Sequence, residues 1–273
     1  MRNKLKKVAA LFILLVLLLG AYAYRDFTQF CDTAVPILAY HRVGTKGDLY
    51  SITPEEFQKQ MEYLNSRGYK TLTLGQYADK RSKGETFHNT IVLTFDDGYS
   101  DNLTAAVPIM EKYHYVGSCF LAIKFFGWPG YLTWKEAEGL AKAGWEIGSH
   151  TYNHVELGKI EDPNVIRKEL IDSKDFVRGL YNNKIGITLC YPSGSYNSKV
   201  CEIVRETSYI GAVTGRVGVN TNSTPIYELR RVNVFNNGKG IDGFIRKLDR
   251  AYLISWFEGY GIDLFSLWKK IRG

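Results

Sequence analysis

A single-domain α/β barrel, with parallel strands inside and helices outside, is what this sequence predicts, and three observations predict it. Short apolar runs alternate with amphipathic stretches six or seven times along the chain, joined by short links. Strict β-α alternation of that kind makes parallel strands covered by helices. No repeat, low-complexity segment or interdomain linker breaks the alternation, so the 273 residues read as one domain behind an N-terminal hydrophobic segment. A Gly-x-Gly-x-x-Gly turn is absent, which counts against an open dinucleotide-binding sheet and favours a closed barrel. With 45% hydrophobic and 23% charged residues, the chain has the composition of an ordinary globular core.

The first residues stand outside that fold. Arg2, Lys4, Lys6 and Lys7 precede an uninterrupted apolar run over residues 8–19, and Ala21-Tyr22-Ala23 has the small-x-small form of a signal peptidase site. Residues 1–23 are thus a signal peptide or, with the apolar run extended to Ala23, a membrane anchor. Either way the positive charges stay inside and the rest of the chain is exported, anchored at the cell surface or secreted. Removing these residues takes away four cations and no acids, so the net charge falls from +7 to +3. The basic balance is therefore no argument for a nucleic-acid partner. Cys31, Cys119, Cys190 and Cys201 form no C-x-x-C pair, which argues against a thiolate zinc site. Cys119 and Cys190 sit in apolar surroundings and read as buried thiols, while a Cys190–Cys201 bridge stays open.

In chain order, residues 35–40 form a strand ending at His41. Thr53 caps a helix with Pro54 at its first position, and that helix ends near Gly68. A strand over 69–74, a short helix over 76–83 and the strand into Asp96 follow. Residues 101–115 read as a helix kinked at Pro108. The strand over 117–123 runs into an aromatic loop, Phe125-Phe126-Gly127-Trp128-Pro129-Gly130-Tyr131. Thr133 and Glu136 make a capping box for a helix ending at Gly144. Then come a strand over 145–148, a helix from Asp162-Pro163 to about residue 181, strands over 185–191 and 209–213 around a helix over 197–207, a strand over 229–234 and a helix over 241–252.

Chemistry collects at two strand ends. The strand Thr90-Ile91-Val92-Leu93 runs into Thr94-Phe95-Asp96-Asp97-Gly98. Adjacent side chains on a strand point opposite ways, but where the chain turns both acids can converge, and ligands bind at that end of parallel strands. Asp-Asp-Gly is also ordinary turn chemistry. His150 and His154, two of only five histidines, lie four residues apart after another strand. On one face of a helical turn both imidazoles could reach one ion; the alternative is a pair of exposed loop histidines. One carboxylate and two imidazoles make a three-ligand site with open positions, the arrangement of catalytic zinc. The second carboxylate is then free to act as a base.

Thr94-Phe95-Asp96-Asp97-Gly98 together with His150-Thr151-x-x-His154 resembles the NodB-type polysaccharide deacetylases of carbohydrate esterase family 4, over residues 35–252. The resemblance implies a distorted (β/α)7 barrel and metal-dependent hydrolysis of N-acetyl groups on an amino-sugar polymer. It implies Asp97, His150 and His154 as ligands of a divalent metal, Zn²⁺ with Co²⁺ or Ni²⁺ as alternatives, and Asp96 as catalytic base. Two motifs depart from the family pattern. Leu189-Cys190-Tyr191-Pro192-Ser193-Gly194 keeps the Pro-x-Gly turn, whose backbone N–H near Ser193, with Tyr191, would serve the oxyanion, but it lacks the arginine that orients the base. Leu229-Arg230-Arg231 stands where a Leu-x-His would supply the general acid, and a guanidinium does not titrate usefully. His41, in Tyr40-His41, takes its place as the candidate acid. This opening resembles the branch that includes poly-β-1,6-N-acetylglucosamine deacetylases.

Trp128 and Tyr131 could stack on sugar faces from the rim, or simply pack it. Glu146 and Asp32 read as surface or supporting acids, and His88 and His114 as exposed. The tail, residues 253–273, carries Trp256, Phe257, Tyr260, Phe265 and Trp268 and then Lys269, Lys270 and Arg272. Leu264, Phe265, Trp268 and Ile271 would give it one apolar helical face, for a membrane surface or for its own domain. The expected partner is an N-acetylated polysaccharide, with poly-β-1,6-N-acetylglucosamine first and peptidoglycan or another glycan next; an inactive glycan-binding barrel is the non-enzymatic alternative.

Overall fold

Seven parallel strands close into a ring in the computed structural model of the protein, which describes residues 2–45, 47–180, 186–264 and 266. β1 (Ile37–Tyr40) pairs on one side with β5 (Thr90–Phe95) and on the other with β10 (Leu229–Asn233). The circuit continues through β9 (Ala212–Val217), β8 (Leu189–Cys190), β7 (Glu146–Ser149) and β6 (Ser118–Leu121) back to β5. β4 (Lys70–Leu72) adds to the start of β5 outside the ring. β2 (Arg42–Val43) and β3 (Ser51–Ile52) form a small pair beyond β1 that the sequence pattern did not reveal. The barrel is the distorted (β/α)7 form expected. β8 is only two residues long, and the pairing of β9 with β10 shifts register between Leu229 and Arg231.

Alternation along the strands divides the core into two layers. Ile37, Val92, Phe120, Cys190, Val213 and Leu229 cluster inside the ring. Leu38, Leu93, Phe95, Ile147, Leu189 and Ala212 face the surrounding helices. The strand starts are closed by α3 (Leu74–Ser82), whose Leu74 and Tyr77 join the interior cluster. Thr73 and Gln76 form a capping box that starts this helix two residues earlier than expected.

Outside the ring lie α2 (Pro54–Ser66), capped by Thr53, α5 (Trp134–Lys142), with the Thr133–Glu136 capping box, α6 (Pro163–Leu180) and α7 (Ser198–Glu206). The expected helix over 101–115 is instead a π-helical turn, Asn102–Ala106, followed by α4 (Val107–Glu111). Pro108, lacking an N–H, sits at the join, and such wide turns recur at functional sites. Here the turn buries Asn102, whose Nδ2 donates to the His41 carbonyl at 2.9 Å.

Both ends of the chain differ from expectation. α1 (Arg2–Thr33) is one helix that passes residue 23 without a break, and α8 (Gly240–Gly259) runs seven residues beyond 252. The cause is mutual packing, with Phe27 edge-on to Trp256 and Phe30 edge-on to Tyr252. Of the tail residues, Phe265, Trp268, Lys269, Lys270, Ile271 and Arg272 lie outside the described residues, as does Ile185 of the expected strand 185–191, which is reduced to β8. All four cysteines are free thiols. Cys190 points into the ring, whereas Cys201 on α7 lies against the Tyr191 hydroxyl, so the Cys190–Cys201 bridge does not form.

Candidate active site

Asp96 and Asp97 follow β5, His41 follows β1, His150 follows β7 and Cys190 ends β8, so all stand at the C-terminal mouth of the barrel. The backbone there is strained. Asp97 (φ 75°), Thr151 (φ 62°), His154 (φ 56°) and Ser193 (φ 55°) adopt left-handed conformations, which cost a non-glycine residue about 1–2 kcal/mol each. Strain of this kind concentrates where function holds the chain in place. Gly98 (φ 81°) permits the turn after the acids, because a Cβ there would fall 2.7 Å from Leu121 Cδ2.

Asp97 Oδ1 lies 3.6 Å from His150 Nε2 and 3.3 Å from His154 Nε2. Ligand atoms about 2.1 Å from a tetrahedral zinc ion stand about 3.4 Å apart, so these residues fit a divalent metal. The His150 Nδ1 is 2.7 Å from the Cys190 carbonyl, which fixes the tautomer and leaves the Nε2 lone pair facing Asp97. Burial holds the His150 imidazole below its ordinary pKa despite Asp96 and Asp97, favouring the neutral ligand form. Burial pushes the Asp97 carboxyl up, but the His154 hydrogen bond leads the interactions that outweigh it and keep the acid ionised.

The two histidines do not share a helical turn, as their spacing suggested. They converge from an irregular loop bent by the left-handed Thr151 and His154, with ring centroids 4.8 Å apart. Glu169 of α6 clamps that loop, accepting from Tyr152 N (3.1 Å), Asn153 N (2.8 Å) and Asn153 Nδ2 (2.5 Å). Asp96, His150 and Cys190 form a second group close enough to meet one ion. There, however, burial holds the Cys190 thiol well above its ordinary pKa, and Asp96 is already engaged.

Asp96 is 2% exposed, and its Oδ1 accepts from Arg231 Nη1 at 2.7 Å. Arg231, itself buried, is fixed by donating from Nε to the Thr214 carbonyl at 2.8 Å. Burial alone would raise the Asp96 carboxyl. The charge and hydrogen bond of Arg231 lead the interactions that overcome it and hold the acid well below the usual carboxylate range. Sequence reasoning dismissed Arg231 as a failed general acid and missed this role. The available signal was a complementary pair of changes, an arginine absent from the third motif and one present in the fifth. His41 Nε2 stands 4.0 Å from Asp96 Oδ2, and its buried Nδ1 has no partner among the described residues. Tyr50, another residue the sequence did not single out, places its ring 4.7 Å from that of His41.

Ser193 is exposed on its left-handed turn, and no hydrogen bond from its N–H is found among the described residues. Tyr191 has no donor to spare, since its N–H bonds to the Val213 carbonyl and its hydroxyl to the Tyr227 carbonyl at 3.0 Å. The aromatic loop does reach the Asp97–His150–His154 cluster, with Phe125 5.9 Å from His154. Tyr131 is stacked between Phe125 (5.2 Å) and Tyr99 (4.8 Å), while Trp128 is 52% exposed. Glu146 is neither a surface acid nor part of the mouth. It is buried at the start of β7, accepting from Gly75 N, Ser118 Oγ and Thr188 Oγ1. His88 is exposed but has a partner, Asp32, at 2.7 Å.

The family profile described as Polysaccharide deacetylase matches residues 83–211. A Bacillus subtilis protein classed by name with the polysaccharide deacetylases, YxkH, is 31% identical over 205 residues, covering 73% of this chain and 71% of its own. The poly-beta-1,6-N-acetyl-D-glucosamine N-deacetylase of Staphylococcus epidermidis is 25% identical over 240 residues, covering 76% of this chain and 83% of its own. Among solved structures, the Streptococcus pyogenes deacetylase PplD in complex with acetate superposes with a TM-score of 0.72 at 26% identity, covering 80% of this chain and 99% of that one. With its barrel and the acids and histidines gathered at the mouth, the chain belongs to the polysaccharide deacetylase family and is a hydrolase of that class.

Proposed function

We propose that the protein is a metal-dependent de-N-acetylase of an N-acetylglucosamine polymer outside the cytoplasm, with poly-β-1,6-N-acetylglucosamine as first substrate. The observation that carries the reading is the pairing, at one barrel mouth, of an Asp97–His150–His154 cluster of metal-ligand dimensions with a separate buried carboxylate, Asp96, kept ionised by Arg231. The Staphylococcus relative named for that polymer, matched over most of its length, supports the substrate choice. Residues 1–23 direct the export.

Asp97, His150 and His154 would hold the metal, Zn²⁺ in the first instance, which would polarise the acetyl carbonyl and make water acidic enough to attack near neutral pH. Asp96 is the base. With Oδ1 tied to Arg231, its Oδ2 accepts the proton as water adds to the acetyl carbon. The Ser193 N–H donates to the oxygen that gains charge. His41, beside Oδ2, gives its proton to the sugar nitrogen as the C–N bond breaks, so acetate and a free amine leave. Trp128 and Tyr131 line the sugar chain's path. Acetate release from a panel of N- and O-acetylated polymers with added Zn²⁺, Co²⁺ or Ni²⁺ tests the reading. One bound ion and acetate from the β-1,6 polymer are expected, and both should vanish in Asp97→Ala. Metal binding without acetate release from any polymer would leave a glycan-binding barrel instead.

A further inference from the structure

We infer that α1 is retained as a membrane anchor, and that with α8 it forms a neck holding the barrel upright on the bilayer, its mouth facing away from the lipid.

α1 changes character once, near Ala23. From Leu11 to Leu19 each residue is at least half exposed all around the helix, and Tyr22 and Tyr24 are 68% and 71% exposed. Among the described residues nothing covers this apolar cylinder, and the span from residue 9 has a mean hydropathy of 1.8. Residues 8–24 rise about 25 Å, within the range of about 17–25 residues that crosses a hydrocarbon core. Lys4, Lys6 and Lys7 mark the inner side, and the two tyrosines sit where interfacial aromatics belong. Beyond that point the helix is one-sided. Asp26, Phe27, Phe30 and Cys31 make a stripe at helical spacing, turned to the protein.

The stripe's partner is the end of α8. Tyr252 donates to the Ala34 carbonyl and lies edge-on to Phe30. One turn on, Trp256 meets Phe27. Asp26 Oδ2 accepts from both Trp256 Nε1 and Tyr260 Oη at 2.7 Å. Ala34 leads into the start of β1, so Tyr252 marks the level of the barrel's N-terminal rim. From that level the last turns of α8 run beside α1 through Trp256 and Tyr260, while Glu258 between them turns back to the barrel and accepts from Arg230 Nη1. The metal cluster and Asp96 are at the other end of the strands. Counting nine helical residues from Tyr24 to Thr33 and the strand up to His41, the mouth stands on the order of 35 Å above the lipid boundary. In sequence, the basic aromatic stretch with Trp268, Lys269, Lys270 and Arg272 follows the foot of this neck. A site held at that height meets polymer already clear of the membrane.

The test begins with the full chain made in a bacterial host. Carbonate-washed membranes should yield a protein that still carries residues 1–23, and a mature chain beginning at Tyr24 would overturn the proposal. Orientation is then read in vesicles of phosphatidylglycerol and phosphatidylethanolamine, in a Cys31→Ser background, or Cys31→Ala should that variant fold poorly. A donor fluorophore is placed at Thr86→Cys on the N-terminal rim or at Trp128→Cys on the mouth, with an acceptor on the lipid headgroups. Transfer several-fold stronger from position 86 is expected; equal or reversed transfer overturns the orientation. Asp26→Ala combined with Trp256→Phe, which loosens the neck and keeps the span, should bring the two efficiencies together. If they stay apart, the α1–α8 contact is not what sets the height.

Discussion

Arg231 Nη1 lies 2.7 Å from Asp96 Oδ1, and both side chains are almost wholly buried, 4% and 3% exposed. The pair joins residues 135 positions apart and leaves one carboxylate oxygen, Oδ2, turned toward His41. An ionised acid in such a place would otherwise protonate, so the arginine decides whether the carboxylate proposed as the base is ionised at all.

Arg231→Met should therefore lower turnover by about 100-fold, because the base loses its fixed orientation, with KM and the content of bound metal little changed. It should also cost about 3–5 kcal/mol of stability by leaving a buried charge unpaired. Adding Asp96→Asn should restore most of that stability in urea unfolding while the enzyme stays inactive. If the double variant is no more stable than the single one, the arginine's role is packing rather than charge.

His41→Gln separates an acid from a bystander by its dependence on the leaving group. Amide hydrolysis should fall by about 10²–10⁴ if the sugar nitrogen needs a proton from His41. An aryl acetate ester, whose leaving group needs none, should lose much less. Equal losses on both substrates in metal-loaded enzyme would point to disturbed structure around Tyr50 and Asp96.

Local patterns made much of this legible. The run from Thr90 to Gly98 announces a buried strand ending on two acids, and Thr133 with Glu136 announces a helix start, because each signal lies within a few residues. What the spacing of His150 and His154 could not convey is how they meet, since positive φ at Thr151 and His154 has no signature in non-glycine residues. Nor could it convey the Asp96–Arg231 pair, which depends on barrel closure and on the register shift beside Arg231. The extension of α1 past Ala23 went unread because the stripe from Asp26 to Cys31 becomes meaningful only with Tyr252 and Trp256 opposite it.

Glu169 offers a check on the histidine loop from outside the cluster. Its carboxylate receives three N–H groups from Tyr152 and Asn153, between the two histidines, where the Tyr152 carbonyl also accepts from Lys124 N at 2.8 Å. Glu169→Ala should weaken metal affinity by about 10–100-fold, the usual effect of removing support behind the ligands. Excess metal should recover most of the turnover. A loss that no metal concentration repairs would mean that the loop collapses rather than loosens.

Glu146 gives the pH dependence of stability a definite sign. Burial raises its carboxyl above the ordinary value, only partly offset by the hydrogen bonds from Thr188, Gly75 and Ser118. A carboxyl raised in the folded state binds its proton more tightly there than in the unfolded chain. Its contribution is fully present below the unfolded pKa and is lost as pH rises through the folded one. Glu146→Gln removes that titration while its amide still accepts from Gly75 N–H and can donate to Thr188 Oγ1. Compared across pH 4 to 8 by thermal unfolding, the wild-type protein should lose stability relative to the glutamine variant as pH rises. A parallel pair of curves would sink the idea. Glu146→Ala should instead be less stable at every pH, by about 1–3 kcal/mol, because the Gly75 N–H at the start of α3 is left buried without an acceptor. Since α3 closes the barrel's N-terminal end, that loss should leave the mouth's metal content and turnover near normal at temperatures below unfolding.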